Sequence, residues 1–249
     1  MRNSNKDDKK RKSSRTLELV TRKGMPFNYI EAYKSLRTNV KFLMATEHAK
    51  SFVITSALQM ESKSNISVNL AVTIAAEGHK VVLVDGDFRK PMIQRFLGVN
   101  SMHRGISAVL AGRCSLEDAL LHSITYGIDV LPVGVVPPNP TELLAKSRMR
   151  DIMKKLESEY DCVLIDAPPI SVVTDAAIIG GMVDGAFLVV RSDYSPVEMV
   201  QLAKKKLEDV DVRIFGVILS RFNAKKAGKQ SGYYYSYNDY YYSYDKDQV

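Results

Sequence analysis

Three acids close apolar runs in this chain. Asp85 and Asp87 follow the run in KVVLVDGDFRKP, and Asp166 follows the one in CVLIDAPP. A carboxylate taken out of water is costly unless it meets a cation, and Mg²⁺ with its waters suits carboxylates grouped this way. Asp85 is the better candidate of the first pair to accept or steer a proton from an incoming hydroxyl. A further run, SFVITSAL, leads into QMESKSN, where Lys63 and Ser64 stand just ahead of a helical pattern. A phosphate-binding loop places its Lys there to reach β and γ phosphates, and its Ser to hold Mg²⁺. The N–H groups of Glu61, Ser62 and Lys63 would cradle the phosphates at the helix start. The match is partial, because the pattern GxxxxGK[ST] asks for glycine where Ala57 and Ser62 stand. An ordinary helix start capped by Ser62 would explain the Lys-Ser pair alone, and a cap or turn would explain any one acid. Three strand-ending acids beside the Lys-Ser loop favour the nucleotide reading.

Something must bring these residues together. Strands are expected at 51–58, 80–87, 128–134, 162–168, 185–193 and 212–220, each nearly continuous in Val, Ile and Leu. Such runs belong to strands buried on both faces, as in a parallel sheet. Helical periodicity covers 64–78, 140–160 and 197–210. Alternation of the two predicts right-handed crossovers and a three-layer α/β fold with a doubly wound, mostly parallel sheet. Ligands of such sheets bind at the carboxyl ends of the strands, which is where the acids fall.

The rest of the chain divides by composition. Residues 1–24 form a basic arm expected to be disordered, 25–224 the folded body, and 225–249 a disordered tail low in aliphatics. The net charge is +7, and residues 1–25 hold nine Lys and Arg against three acids. An arm of this charge suits an anionic membrane surface or a membrane protein's cytoplasmic segment. No nucleic-acid module accompanies it. No apolar run is long enough to span a bilayer, and the charged start lacks a signal peptide's apolar core, so a cytoplasmic protein is expected. Cys114 and Cys162 lack metal-site spacing, and Cys162 reads as a buried small hydrophobe. The tail carries eight tyrosines: Tyr233, Tyr234, Tyr235, Tyr237, Tyr240, Tyr241, Tyr242 and Tyr244.

Several segments together resemble the bacterial tyrosine kinases of capsule and exopolysaccharide systems. VLVDGDFRKP looks like that family's second Walker-type motif, and CVLIDAPPISVVTDA like its Walker B segment. LPVGVVPPNPTELL is similar to its linker and helix start, and EAYKSLRTNVKF to its N-terminal helix. The resemblance implies a P-loop NTPase-type fold and autophosphorylation of the tyrosine tail from ATP with Mg²⁺. It implies Lys63 and Ser64 on phosphates and metal, Asp85 and Asp87 near metal and acceptor, and Asp166 as the Walker B acid. It also implies a ring of copies joined through Glu31, Lys34 and Arg37, and a membrane polysaccharide co-polymerase whose cytoplasmic tail completes the kinase. The chain would then lie at the inner face of the membrane through that partner. Two departures stand out. The family's loop reads close to PGEGKS, and here Met60 and Ser62 replace its glycines; Ser220 stands where related folds place an Asn that reads adenine. The alternative is therefore a weak or inactive relative that serves as phosphorylation target and scaffold. Partition-type ATPases share the fold but carry an early second Lys, where this chain has Leu58.

Overall fold

The computed structural model of the protein describes residues 17–100 and 102–223. Most of the 1–24 arm and the tyrosine tail lie outside these residues. In chain order the elements are α1 (Phe27–Thr46), β1 (Ser51–Ser56), α2 (Lys63–Ala75), β2 (Val81–Asp85), α3 (Ile93–Phe96), α4 (Ile106–Leu110) and α5 (Leu116–Ala119). There follow β3 (Leu121–Ser123), β4 (Ile128–Leu131), α6 (Pro140–Leu144), α7 (Ser147–Glu159), β5 (Cys162–Asp166), α8 (Asp175–Gly180), β6 (Gly185–Arg191), α9 (Val197–Glu208) and β7 (Ile214–Ser220).

The sheet order is β3-β4-β2-β5-β1-β6-β7. All pairs are parallel except β3 with β4. Period-two alternation divides each buried strand between two apolar layers. Val53, Val82, Val84, Val163, Ile165 and Leu188 face one core, which α4, α6, α7 and α9 cover. Phe52, Ile54, Leu83, Leu164, Phe187 and Val189 face the other, which α1 and α2 cover. The expected doubly wound, three-layer α/β fold is what forms.

From β1 the chain crosses to the β2 side of the sheet, and later returns to add β6 and β7 on the other side. That reversal leaves a crevice beside the carboxyl end of β1, the usual place for a ligand. The strands end where the acids are: β2 stops at Asp85 and β5 at Asp166.

Three local features depart from the sequence reading. The helical stretch 140–160 is two helices, parted where Lys146 turns extended (φ −65°, ψ 145°). β3 is a three-residue antiparallel edge strand with no run of apolar residues. Within the arm as bounded above, Leu17 and Leu19 pack on the α1–α2 side and Val20 is buried. Asn69 of α2 fixes this segment, accepting from the Val20 N–H at 2.7 Å and donating to the Glu18 carbonyl at 2.8 Å.

Candidate active site

β2 and β5 are neighbours in register, and Asp85 lies opposite Asp166. One strand over, Ile54 of β1 also pairs with Asp166, so the loop leaving β1 runs over both acids. Gly86 makes the closeness possible. A Cβ there would stand 2.9 Å from Ile165 and 3.0 Å from the Asp166 carbonyl, which accepts the Gly86 N–H at 2.8 Å. Any side chain at 86 would push the two strand ends apart.

Lys63 opens α2 and turns inward. Its Nζ donates to Asp166 Oδ1 at 2.9 Å and lies 3.3 Å from Ser64 Oγ. The Ser67 hydroxyl lies 3.1 Å from both Asp166 Oδ1 and the Lys63 carbonyl, and its single proton serves one of them at a time. Asp166 is fully buried, and its Oδ2 has no hydrogen-bond partner among the described residues. Asp85 is fully buried too, accepting N–H bonds from Asp87 at 3.3 Å and Ile93 at 3.0 Å. Burial, then the charges of Asp166 and Asp87, push its carboxyl well above the usual carboxylate range. Asp87 takes the N–H groups of Arg89 and Lys90 on Oδ1, at 3.2 and 2.9 Å. Burial raises its carboxyl as well, against the opposing pull of Lys63. Two proton-hungry carboxyls and one orphaned carboxylate oxygen around a single ammonium group make a site short of positive charge.

Those observations fit a divalent cation. Asp166 Oδ2, Asp85, Asp87 and the Ser64 hydroxyl would hold Mg²⁺ directly or through water. Among the described residues no group of three or more His, Cys, Asp or Glu could hold a metal by itself. Mg²⁺ does not need such a cage, since it keeps waters and takes phosphate oxygens as ligands.

The loop ahead of α2 turns left-handed at two positions without glycine. Met60 (φ 65°) and Ser62 (φ 69°, ψ 15°) sit in the left-handed region, at the two positions where the resembling family has Gly. Ser62 stands at the helix N-cap but caps nothing with its side chain; its Oγ is 3.1 Å from Arg221 Nε instead. The Glu61 carboxylate is buried and accepts the Leu58 N–H at 2.8 Å.

A further network was not foreseen. Arg89, two residues past Asp87, grips buried Asp175 through Nε (2.9 Å) and one terminal nitrogen (3.3 Å), and Thr141 Oγ1 bonds both. It ties the DGDFRKP, PNPTELL and VVTDA segments into one wall. The only available signal was that each segment resembled a family motif. The α1 triad is also resolved into partners. Lys34 pairs with Glu31 at 2.7 Å, whereas Arg37 turns to Glu77 beyond α2, at 2.6 Å. The eight tail tyrosines lie outside the described residues.

The AAA domain family model matches residues 61–208. The chain is 39% identical over 211 residues to the tyrosine-protein kinase YwqD of Bacillus subtilis, covering 84% of this chain and 87% of that protein. Several other relatives are much longer, and the chain spans as little as 26% of them. Among solved structures, the kinase domain of the Escherichia coli tyrosine kinase ETK superposes with a TM-score of 0.73 at 34% identity, covering 78% of this chain and 77% of that one. The septum site-determining protein MinD of Pyrococcus horikoshii, complexed with Mg-ADP, superposes at 0.61 with 27% identity, covering 70% and 71% of the two chains. Likeness of that extent to YwqD and to the ETK kinase domain establishes that the chain belongs to the bacterial tyrosine-protein kinases.

Proposed function

We propose that this chain transfers the γ-phosphoryl group of ATP to tyrosine, its own tail tyrosines included, in the service of capsule or exopolysaccharide production. The observation that carries the reading is the charge-deficient cluster of Lys63, Asp166, Asp85 and Asp87 at the mouth of a left-handed phosphate loop. The tyrosine oxygen attacks the γ-phosphorus, the bond to the β–γ bridging oxygen breaks, and ADP leaves. Lys63 neutralises charge on the transferring group, and Mg²⁺, held as described, supplies further neutralisation of the phosphates. The phenolic proton passes to a carboxylate. Asp87 is better placed for it than Asp85, whose two oxygens both already accept backbone N–H groups, whereas Asp87 Oδ2 is engaged by no described group.

The reading of a weak or inactive scaffold rests on the missing glycines. Against it, both replaced positions keep the left-handed backbone that the glycines would permit, and Lys63, Ser64 and the acids are retained. Labelled ATP with purified protein and Mg²⁺, with and without a candidate activator segment, tests the proposal. Label on tail tyrosines supports it. No incorporation under either condition favours the scaffold.

The membrane co-polymerase as partner and the ring of copies follow from the resemblance. No described helix is long and apolar enough to cross a membrane; in this reading, membrane contact comes through the partner and the basic arm. If α1 joins copies, Glu31→Ala with Lys34→Ala should shift light-scattering mass from oligomer toward monomer. Their ion pair is exposed and adds little to the fold. Arg37 is a poorer probe, because its loss would also loosen α1 from Glu77 and the Thr73 carbonyl. Unchanged mass would leave the Glu31 and Lys34 charges as a solvated face.

A further inference from the structure

Every residue of the loop segment 60–62 is held by a side chain from one of two strand ends. The Met60 carbonyl accepts from Arg191, the last residue of β6, at 3.2 Å. The Glu61 carbonyl accepts from the buried hydroxyl of Ser220, the last residue of β7, at 2.8 Å. The Glu61 carboxylate accepts from Ser195, whose Oγ in turn takes the Arg191 N–H at 3.0 Å. Ser62 Oγ takes Arg221 Nε at 3.1 Å.

We propose that Ser195 and Ser220, with Arg191 and Arg221, are positioning residues that latch the phosphate loop in the left-handed shape its missing glycines would otherwise supply. A Cβ makes that backbone region unfavourable, so a non-glycine loop stays there only when its surroundings over-determine it. The latch supplies the determination. It acts on carbonyls and side chains and leaves the N–H groups of Glu61 and Ser62 without another described acceptor, free for phosphate oxygens. It also explains Ser220: a short hydroxyl at this strand end reaches the Glu61 carbonyl, and is buried where an Asn that reads a base would have to face the ligand. The proposal rests on the reading of this loop as the phosphate cradle.

A double-mutant cycle decides it. One arm is Ser220→Ala, with Ser195→Ala as a second probe of the same latch. The other is Met60→Gly with Ser62→Gly, which makes the left-handed shape free of strain. In the native loop, Ser220→Ala should weaken Mg-ADP binding about ten-fold by calorimetry, the order of the left-handed backbone strain that the latch offsets at Met60 and Ser62. In the glycine loop the same change should cost about two-fold or less, because there the backbone needs no latch. Equal losses in both loops, or none in the native loop, would overturn the proposal. Ser220→Thr keeps the hydroxyl and should keep native affinity. Amide hydrogen exchange over 58–64 in ligand-free protein gives a readout independent of nucleotide. Exchange should accelerate on Ser220→Ala in the native loop and change little in the glycine loop; the same acceleration in both would sink the latch. If no variant binds Mg-ADP, the cradle reading fails, and the exchange pattern still decides whether the latch holds the loop.

Discussion

Lys63→Met is expected to reduce tyrosine phosphorylation by about 10²–10³-fold or more, the usual consequence of removing one group that stabilises transition-state charge. The structure adds a second consequence. Lys63 and Asp166 are 91% and 99% buried as side chains, by relative areas of 9% and 1%, and their atoms meet at 2.9 Å. Removing one partner of a buried ion pair leaves the other charge uncompensated, at a cost of about 3–5 kcal/mol. The activity loss will therefore come with lowered resistance to denaturant, and the two must be separated. Lys63→Met with Asp166→Asn removes both charges. It should recover much of the stability and none of the activity. Denaturant unfolding and label incorporation from ATP measure the two quantities on the same preparations. Near-native phosphorylation by Lys63→Met, made in a host without other tyrosine kinases, would overturn the kinase mechanism.

What was legible in the sequence follows from which interactions are local. Strands such as VVLVD and CVLID announce themselves because burial on both faces demands continuous apolar residues. The acids that end them were readable for the same reason, since a charge after such a run must sit at the sheet's edge. The break before Ser147 was not readable: ELLAKSRMR carries no Pro or Gly, and the chain turns extended at Lys146 so that two helices, not one, can lay Leu144 and Met149 into the same core. Edge strand β3 was missed because an edge needs no apolar run. In the site, the loss of two glycines was visible, but its consequence was not. Whether Met60 and Ser62 adopt left-handed backbone depends on Arg191, Ser195, Ser220 and Arg221, which lie more than 125 residues away. The same holds for Arg89 and Asp175, separated by 86 positions and meeting only when β2 and α8 converge. Arg37 read as part of a surface face, and only the packing of α1 against α2 shows it facing Glu77.

The acid cluster sets a pH dependence opposite in sign to that of most carboxylates. Asp85 is pushed up by burial first, then by Asp166 and Asp87; Asp87 is pushed up chiefly by burial. A carboxyl whose folded value exceeds its unfolded value of about 3.9 binds its proton more tightly in the folded state. Stability from such a group is fully present below the unfolded value and is lost as pH rises through the folded one. The ligand-free protein should accordingly lose melting temperature as pH rises above about 4. The lowered carboxyls, Glu77 and Glu117, pull the other way, but both are paired with Lys at the solvent-exposed surface and contribute little. Asp85→Asn removes the most buried charge and keeps an oxygen for the Ile93 N–H, giving up the longer bond from Asp87. Its melting temperature should fall less steeply with pH than that of the native protein, by about 2–4 °C for each kcal/mol of relieved repulsion. Mg²⁺ with ADP should flatten the native curve in the same way, because a bound cation takes over the charge balance that the protons provide. Calorimetric scans from pH 5 to pH 8, with and without Mg-ADP, would read all three curves. Parallel slopes for the native protein and Asp85→Asn would show that the carboxyl at the end of β2 is not short of positive charge, and would remove the electrostatic basis for placing a metal there.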